Sequence, residues 1–131
     1  PRLVGISQAL EWCYSGKVFD AEEALRGRLV RSVHAPEDLL PAARAFAKEL
    51  TSDSAPVSIA LTRQMMWRML GAPHPMEAHR LDSRAIWSRG AAGDSKEGVS
   101  SFLEKRPAVY PDKVSEHMPH FSPWMDEPKY S

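Results

Sequence analysis

Asp94-Ser-Lys-Glu-Gly-Val-Ser-Ser-Phe-Leu-Glu-Lys-Arg-Pro107 is a helix written with its own start and stop signals. The carboxylate of Asp94 can accept the free backbone N–H groups of a new helix. Glu97, three residues on, has the spacing to reach back and complete a capping box. Pro107 closes the segment, because the residue before a proline is pushed out of helical geometry. Phe102, Lys105 and Arg106 stand at i, i+3 and i+4 and would share one helical face. An aromatic plane beside two cations can hold a flat, phosphorylated ligand such as a nucleotide. The plainer reading is structural: Lys105 and Arg106 complement the negative C-terminal end of the helix, and Phe102 enters the core.

Upstream of this stretch the chain keeps a helical period. Gly90-Ala-Ala-Gly93 is a joint. Residues 76–87 read as a helix with a mixed face, Met76, Ile86 and Trp87 being apolar among crowded charges, which suits a solvated side or a wet interface. Ala72-Pro-His-Pro75 is a break. Ser54-Ala-Pro56 restarts a helix with a capping residue and a proline near its first position. That helix runs to about Leu70, with Val57, Leu61, Met65 and Met69 at strict i+4 intervals and Ala60, Met66 and Leu70 widening the stripe. A methionine stripe at this spacing is core or subunit-interface packing more often than an adaptable binding surface. Residues 37–50 are also helical, with Leu39, Leu40, Ala43, Ala47 and Leu50 on one side; Pro41 fits if it falls within the first turn.

At the N-terminal end, Leu3, Ile6, Leu10 and Cys13 give residues 2–14 helical spacing, and Gly16 is a stop. Cys13 lies on that stripe, which marks it as a small buried hydrophobe and not a nucleophile. Asp20-Ala-Glu-Glu23 opens a short helix that Gly27 closes. Leu29 to Val33 is the single strand candidate. Beyond Pro107, five of the chain's 11 prolines fall in residues 107–131, which argues against regular structure. The same residues carry Tyr110, Phe121, Trp124 and Tyr130, which suits an extended arm docked on its own domain or a neighbour's. Ser58 and His74 form no triad. His117 and His120 have a ligand spacing, but two histidines alone do not make a metal site.

The 17 basic and 17 acidic residues cancel, so nothing steers the chain to nucleic acid or to an anionic membrane. No apolar run reaches membrane-spanning length, and the opening residues do not have the charged-then-apolar pattern expected of a secretion leader. Cys13 is the only cysteine, which excludes an intrachain disulfide and suits a cytoplasmic location. The chain opens on Pro1 and enters a helix pattern almost at once, and so reads as a piece of something longer.

Five segments in register resemble the C-terminal half of the enoyl-CoA hydratase/isomerase (crotonase) family. They are Pro1-Arg-Leu-Val-Gly5, Tyr14-Ser-Gly-Lys-Val-Phe-Asp-Ala-Glu-Glu-Ala24, Arg28-Leu-Val-Arg-Ser-Val33, Ser95-Lys-Glu-Gly98 and Phe102-Leu-Glu-Lys-Arg-Pro107. Arg28 stands where the family usually has glycine, which puts a tight turn there in question. The tail beyond Tyr110 resembles a bacterial subgroup with a Pro/Trp-rich end.

The resemblance implies a mainly α chain: the C-terminal helical, trimer-building part of a crotonase-like fold, lacking the N-terminal ββα spiral core. Residues 1–33 would be the end of that core, 34–107 the helical domain and 108–131 an extended tail. The implied parent is an acyl-CoA hydratase or isomerase of fatty-acid metabolism, a homo-oligomer of trimers or paired trimers, with acyl-CoA as substrate and no cofactor. Its oxyanion hole and catalytic glutamates would lie before Pro1, so the isolated chain would be inactive. Phe102 and Lys105 correspond to positions that touch the CoA of a neighbouring subunit. Arg106 has no assigned role. A stand-alone helical interaction module is the other class of reading.

Overall fold

The computed structural model describes residues 1–121. Among these run seven helices and no strand: α1 (Ile6–Ser15), α2 (Ala21–Arg26), α3 (Pro36–Thr51), α4 (Pro56–Met69), α5 (Pro75–Gly90), α6 (Gly93–Glu104) and α7 (Val114–His117). The chain divides into two compact units, Pro1–Ala47 and Lys48–Ser131, the boundary falling inside α3.

In the first unit, α1 begins at Ile6 and not at residue 2. Gly5 before it takes φ 81 and ψ 164, a conformation that side chains resist and that keeps the preceding turn out of the helix. Gly16 ends α1 in the left-handed region, as its position predicts. The apolar stripe faces outward: Leu3 is 60% and Ile6 64% exposed. Cys13 is exposed as well, which corrects its reading as a buried hydrophobe.

The α2 cap forms as the sequence predicts, Asp20 accepting from the Glu23 N–H at 2.8 Å. The Glu23 carboxylate accepts from Trp12 Nε1 at 2.8 Å. Trp12 stacks on Phe19 with ring centroids 4.3 Å apart. Gly27 is what lets the indole approach, since a Cβ there would stand 2.5 Å from Trp12 Cη2.

Arg28 itself adopts φ 60, so the tight turn survives the loss of glycine. Leu29 to Val33 is not a strand. The Leu29 and Val30 amides turn back to the Ala24 carbonyl, at 2.9 and 3.4 Å, and so form no ladder. Arg31 lies over the Phe46 ring at 4.0 Å. α3 starts at Pro36, which puts Pro41 inside the helix and not in its first turn. Pro41 therefore forfeits one intrahelical hydrogen bond.

In the second unit α4 and α5 pack together. α4 is entered through Ala55 with no side-chain cap, so Ser54 does not take that role, and Pro56 sits in the first turn. The i+4 stripe is the core: Val57 and Leu61 pack with Leu81 and Ala85 of α5, and Met65 and Met69 flank them. Burying a Leu or Val side chain contributes about 1.5–3 kcal/mol. Only the outer edge of the stripe, Met66 and Leu70, is exposed.

On α5 the buried residues are Leu81 and Ala85, one turn apart, while Met76, Ile86 and Trp87 are exposed. His74 caps this helix through Nδ1, which accepts from the Met76 N–H at 3.0 Å. Between α6 and residue 121 the chain is irregular apart from the four residues of α7. Met118 and Phe121 pack against the α4–α5 core; Trp124 and Tyr130 lie outside the described residues. No helix of the described residues is long and apolar enough to cross a membrane.

Candidate functional site

The site is the length of α6 and the segment that returns along it. α6 opens one residue before Asp94, through Ala92 in extended geometry with no side-chain cap. Asp94 and Glu97 therefore form no capping box. Three apart, they share a face of the helix, and both are turned to the returning chain.

Asp94 Oδ1 accepts the backbone N–H of Asp112 at 3.0 Å. Glu97 Oε1 accepts that of Val109 at 2.7 Å. The returning segment thus runs antiparallel to α6, closest at Gly93 and in ordinary contact at Gly98. A Cβ on Gly93 would stand 3.0 Å from Pro111 Cγ, and one on Gly98 would touch Tyr110 at 3.8 Å.

Each of these carboxylates also takes a guanidinium. Arg89, at the end of α5, binds Asp94 at 3.4 Å and also binds Asp112, with all three side chains largely buried. Its Nη1 donates to the His117 carbonyl at 3.3 Å. Arg106 forks onto Glu97, with Nη1 to Oε1 at 2.6 Å and Nη2 to Oε2 at 2.9 Å, and its Nε reaches Glu104 at 2.6 Å. This bidentate geometry is the strong form of the pair. The Arg106 hydrogen bonds, with that from the Val109 amide, hold the Glu97 carboxyl down at about 2. The same pairing raises Arg106 further above its ordinary value.

At the other end α6 stops at Glu104. Lys105 takes the left-handed conformation, φ 55 and ψ 40. The Arg106 N–H returns to the Ser101 carbonyl at 3.1 Å and the Lys105 N–H to that of Phe102 at 3.3 Å, which is a Schellman close. Glycine is the usual occupant of this position, and a side chain there costs about 1–2 kcal/mol.

The helical face predicted to join Phe102, Lys105 and Arg106 is therefore cut after Glu104. Phe102 is 82% exposed and does not enter the core of this chain. The Lys105 ammonium has no hydrogen-bond or ion-pair partner among the described residues, whereas Arg106 is fully engaged. Of the three residues, Phe102 and Lys105 keep their chemical groups open.

Elsewhere the chemistry is local. Ser32 Oγ and His34 Nε2 are hydrogen-bonded at 2.8 Å in an exposed loop, with no carboxylate on His34 among the described residues. His117 Nδ1 accepts the Lys113 amide at 3.0 Å, and no metal-ligating cluster occurs among the described residues. An open groove of about 780 Å³ is lined by Arg84, Trp87, His120 and Phe121, among others, and includes neither Phe102 nor Lys105.

A family model described as enoyl-CoA hydratase/isomerase matches residues 1–113. The chain belongs to the enoyl-CoA hydratase/isomerase family. An enoyl-CoA hydratase of Alternaria alternata is 35% identical over 117 residues, 88% of this chain and 39% of that protein. A crotonyl-CoA hydratase of Syntrophomonas wolfei is 34% identical over 116 residues, 86% of this chain and 43% of that protein. The crystal structure of an enoyl-CoA hydratase from Bacillus anthracis superposes with a TM-score of 0.73 at 26% identity, covering 84% of this chain and 42% of that one. The chain spans about two-fifths of the length of these relatives. A helical chain of that extent fits the C-terminal helical part of the crotonase fold.

Within the family the carboxylate pair on α6 is what sequence reasoning missed. Asp94 and Glu97 read equally well as a cap, because both uses need acids three residues apart. The matching signal was the same interval between Val109 and Asp112, visible only once the return segment is known to lie on α6.

Proposed function

We propose that this chain is the C-terminal helical part of an enoyl-CoA hydratase that adds water across the 2,3 double bond of a 2-enoyl-CoA in fatty-acid metabolism in the cytoplasm. It supplies oligomer contacts, within a trimer or paired trimers, and a piece of the CoA wall formed by Phe102 and Lys105. The observation that carries this reading is that, in a chain of this family, the end of α6 leaves the Phe102 ring exposed and the Lys105 ammonium without a partner among the described residues. A ring plane beside a cation is complementary to a nucleotide bearing phosphate.

Six acids of the described residues are committed to structural bonds, which supports looking elsewhere for the hydration chemistry. Asp20 caps α2 and Glu23 holds Trp12. Asp94 and Asp112 enclose Arg89, and Glu97 and Glu104 hold Arg106. General acid–base catalysis needs a carboxylate free to exchange its proton with substrate.

Turnover of crotonyl-CoA is the test. The 131-residue chain alone is expected to give none above background, and appreciable hydration by it would overturn the assignment. In the full-length parent, Lys105→Ala is expected to raise KM for crotonyl-CoA about fivefold, on the order of 1 kcal/mol. Isomerisation of a 3-enoyl-CoA by the parent, with no hydration, would move the assignment to the isomerase branch.

A second reading, a helical interaction module kept for assembly, draws on the outward apolar side chains of α1 and α3, among them Ile6, Leu39, Leu40 and Leu50. Exposed apolar surface of this kind favours association. Intact-mass measurement of the natural protein separates the two: a mature chain beginning at Pro1 supports the module. A sharply monomeric species in sedimentation would contradict the oligomer contacts in both.

A further inference from the structure

The end of α6 keeps a long, charged side chain where a helix end favours glycine. Lys105 holds φ 55 and ψ 40, and such backbone outliers persist only where neighbours over-determine them. Here the neighbour is Arg106. Its N–H closes onto the Ser101 carbonyl at 3.1 Å. Its guanidinium grips Glu97 through two hydrogen bonds of 2.6 and 2.9 Å. Glu97 is itself fixed from the other side by the Val109 amide at 2.7 Å.

The left-handed turn is therefore held by a fork reaching back over the last turns of the helix, and the return segment locks that fork. By contrast, nothing among the described residues holds the Lys105 ammonium. The turn fixes where its Cα and Cβ lie, and the flexible stem reaches out from there. A lysine ammonium is a point charge without the built-in geometry of a guanidinium, so its reach depends on where the turn places Cα and Cβ.

We propose that Glu97 and Arg106 are positioning residues for Lys105: their fork fixes the left-handed turn, and the turn presents the lysine stem so that its ammonium reaches the phosphates of CoA. The proposal rests on the CoA reading of Phe102 and Lys105 given above. It assigns Glu97 a role with no contact to the ligand, and it explains why Arg106 is engaged while its neighbour stays open. Glu97→Gln keeps the acceptor for Val109 and removes the charge that the fork needs. Arg106→Lys keeps the charge and removes the fork.

The experiment is CoA binding by calorimetry at fixed low ionic strength, with kcat and KM for crotonyl-CoA, on the full-length parent. Lys105→Ala is expected to weaken CoA about fivefold, and Glu97→Gln and Arg106→Lys about threefold each. For the latter two kcat should be unchanged and KM raised. The double variant Glu97→Gln with Lys105→Ala should bind no more weakly than Lys105→Ala alone, since residues acting through one contact are not additive.

Unchanged CoA binding by Lys105→Ala sinks the CoA reading itself and this proposal with it. If Lys105→Ala binds weakly but Glu97→Gln binds like wild type, the reading stands and the positioning role falls. A full additive loss in the double variant also removes the positioning role, because Glu97 would then act by another route. If Glu97→Gln does not fold, as judged by its circular dichroism, Arg106→Lys decides: wild-type binding by that variant overturns the proposal.

Discussion

In residues 1–47 a single side chain, Ala24, is buried, and order rests on a capped α2, the Trp12–Phe19 stack and a glycine that admits the indole. In the second unit Val57, Leu61, Leu81 and Ala85 form a closed cluster, and Arg89 and Arg106 are each enclosed by carboxylates. Both units carry helices with apolar residues at helical spacing. In α4 that pattern turns inward onto α5; in α1 and α3 it stays outward. The contrast teaches that helical periodicity marks a face to be covered and is silent on what covers it. Within one chain the same signal ends as core in one unit and as open surface in the other.

The sharpest test of this contrast is Arg89→Leu. It strips the counter-charge from Asp94 and Asp112, whose side chains are 3% and 10% exposed. Breaking such a buried pair should cost the second unit about 3–5 kcal/mol, read as a drop in urea stability. Next is Leu61→Ala in the closed core, expected to cost about 2–5 kcal/mol by the same measurement.

The counterpart in the first unit is Gly27→Ala. Its Cβ would drive Trp12 off Phe19 and Glu23, at about 1–3 kcal/mol, and shift the Trp12 indole N–H resonance. If this loss exceeds that of Leu61→Ala, the first unit has a tighter interior than its exposures imply and the contrast breaks. Smaller still are the two left-handed cations, one in each unit. Arg28→Gly and Lys105→Gly should each raise the melting temperature, by about 0.5–1 kcal/mol of stability. A gain at Lys105 that accompanies weaker CoA binding would mark strain retained for a ligand.

The last and most local effect is acidification. Glu97 is held at about 2 in the folded chain, against an ordinary 4.5. A carboxylate lowered by folding adds stability that is fully present above its ordinary value and fades as pH falls through the folded one. The Val109 amide resonance should therefore hold steady above pH 4.5 and move as pH falls toward 2. A transition centred at the ordinary value would show that the fork is not formed.

Most helices were legible because caps and i+4 intervals are local. Asp20, Gly16 and the Val57–Met69 stripe acted as their spacing said. The failures came where a residue had two competent uses. Asp94 and Glu97 fit a capping box, and only a segment 12 to 18 residues further on diverts them to Val109 and Asp112. Leu81 and Ala85 were hidden among charges, because two residues one turn apart suffice for a narrow contact. Leu29 to Val33 had strand composition, but a strand exists only with a partner to pair with.

At the candidate site the motifs in register single out Phe102 and Lys105, and the structure leaves both exposed. Their shared helical face was not a sound inference, since the helix ends between them. Arg106 gave no sign in the sequence that Glu97, nine positions back, would engage it.

The carboxylates of α6 hold the returning chain by its amide groups, and that has a consequence for editing this protein. A dock built on backbone N–H groups counts residues without reading them. The side chain at Val109 can be exchanged and its amide remains, save for proline, which has none, whereas Asp112 also gives its carboxylate to Arg89. One residue inserted or deleted between those two positions moves an amide off its carboxylate and leaves an acid without a donor. For anyone redesigning this segment, length is the fixed quantity there, and composition is variable at Val109 but not at Asp112.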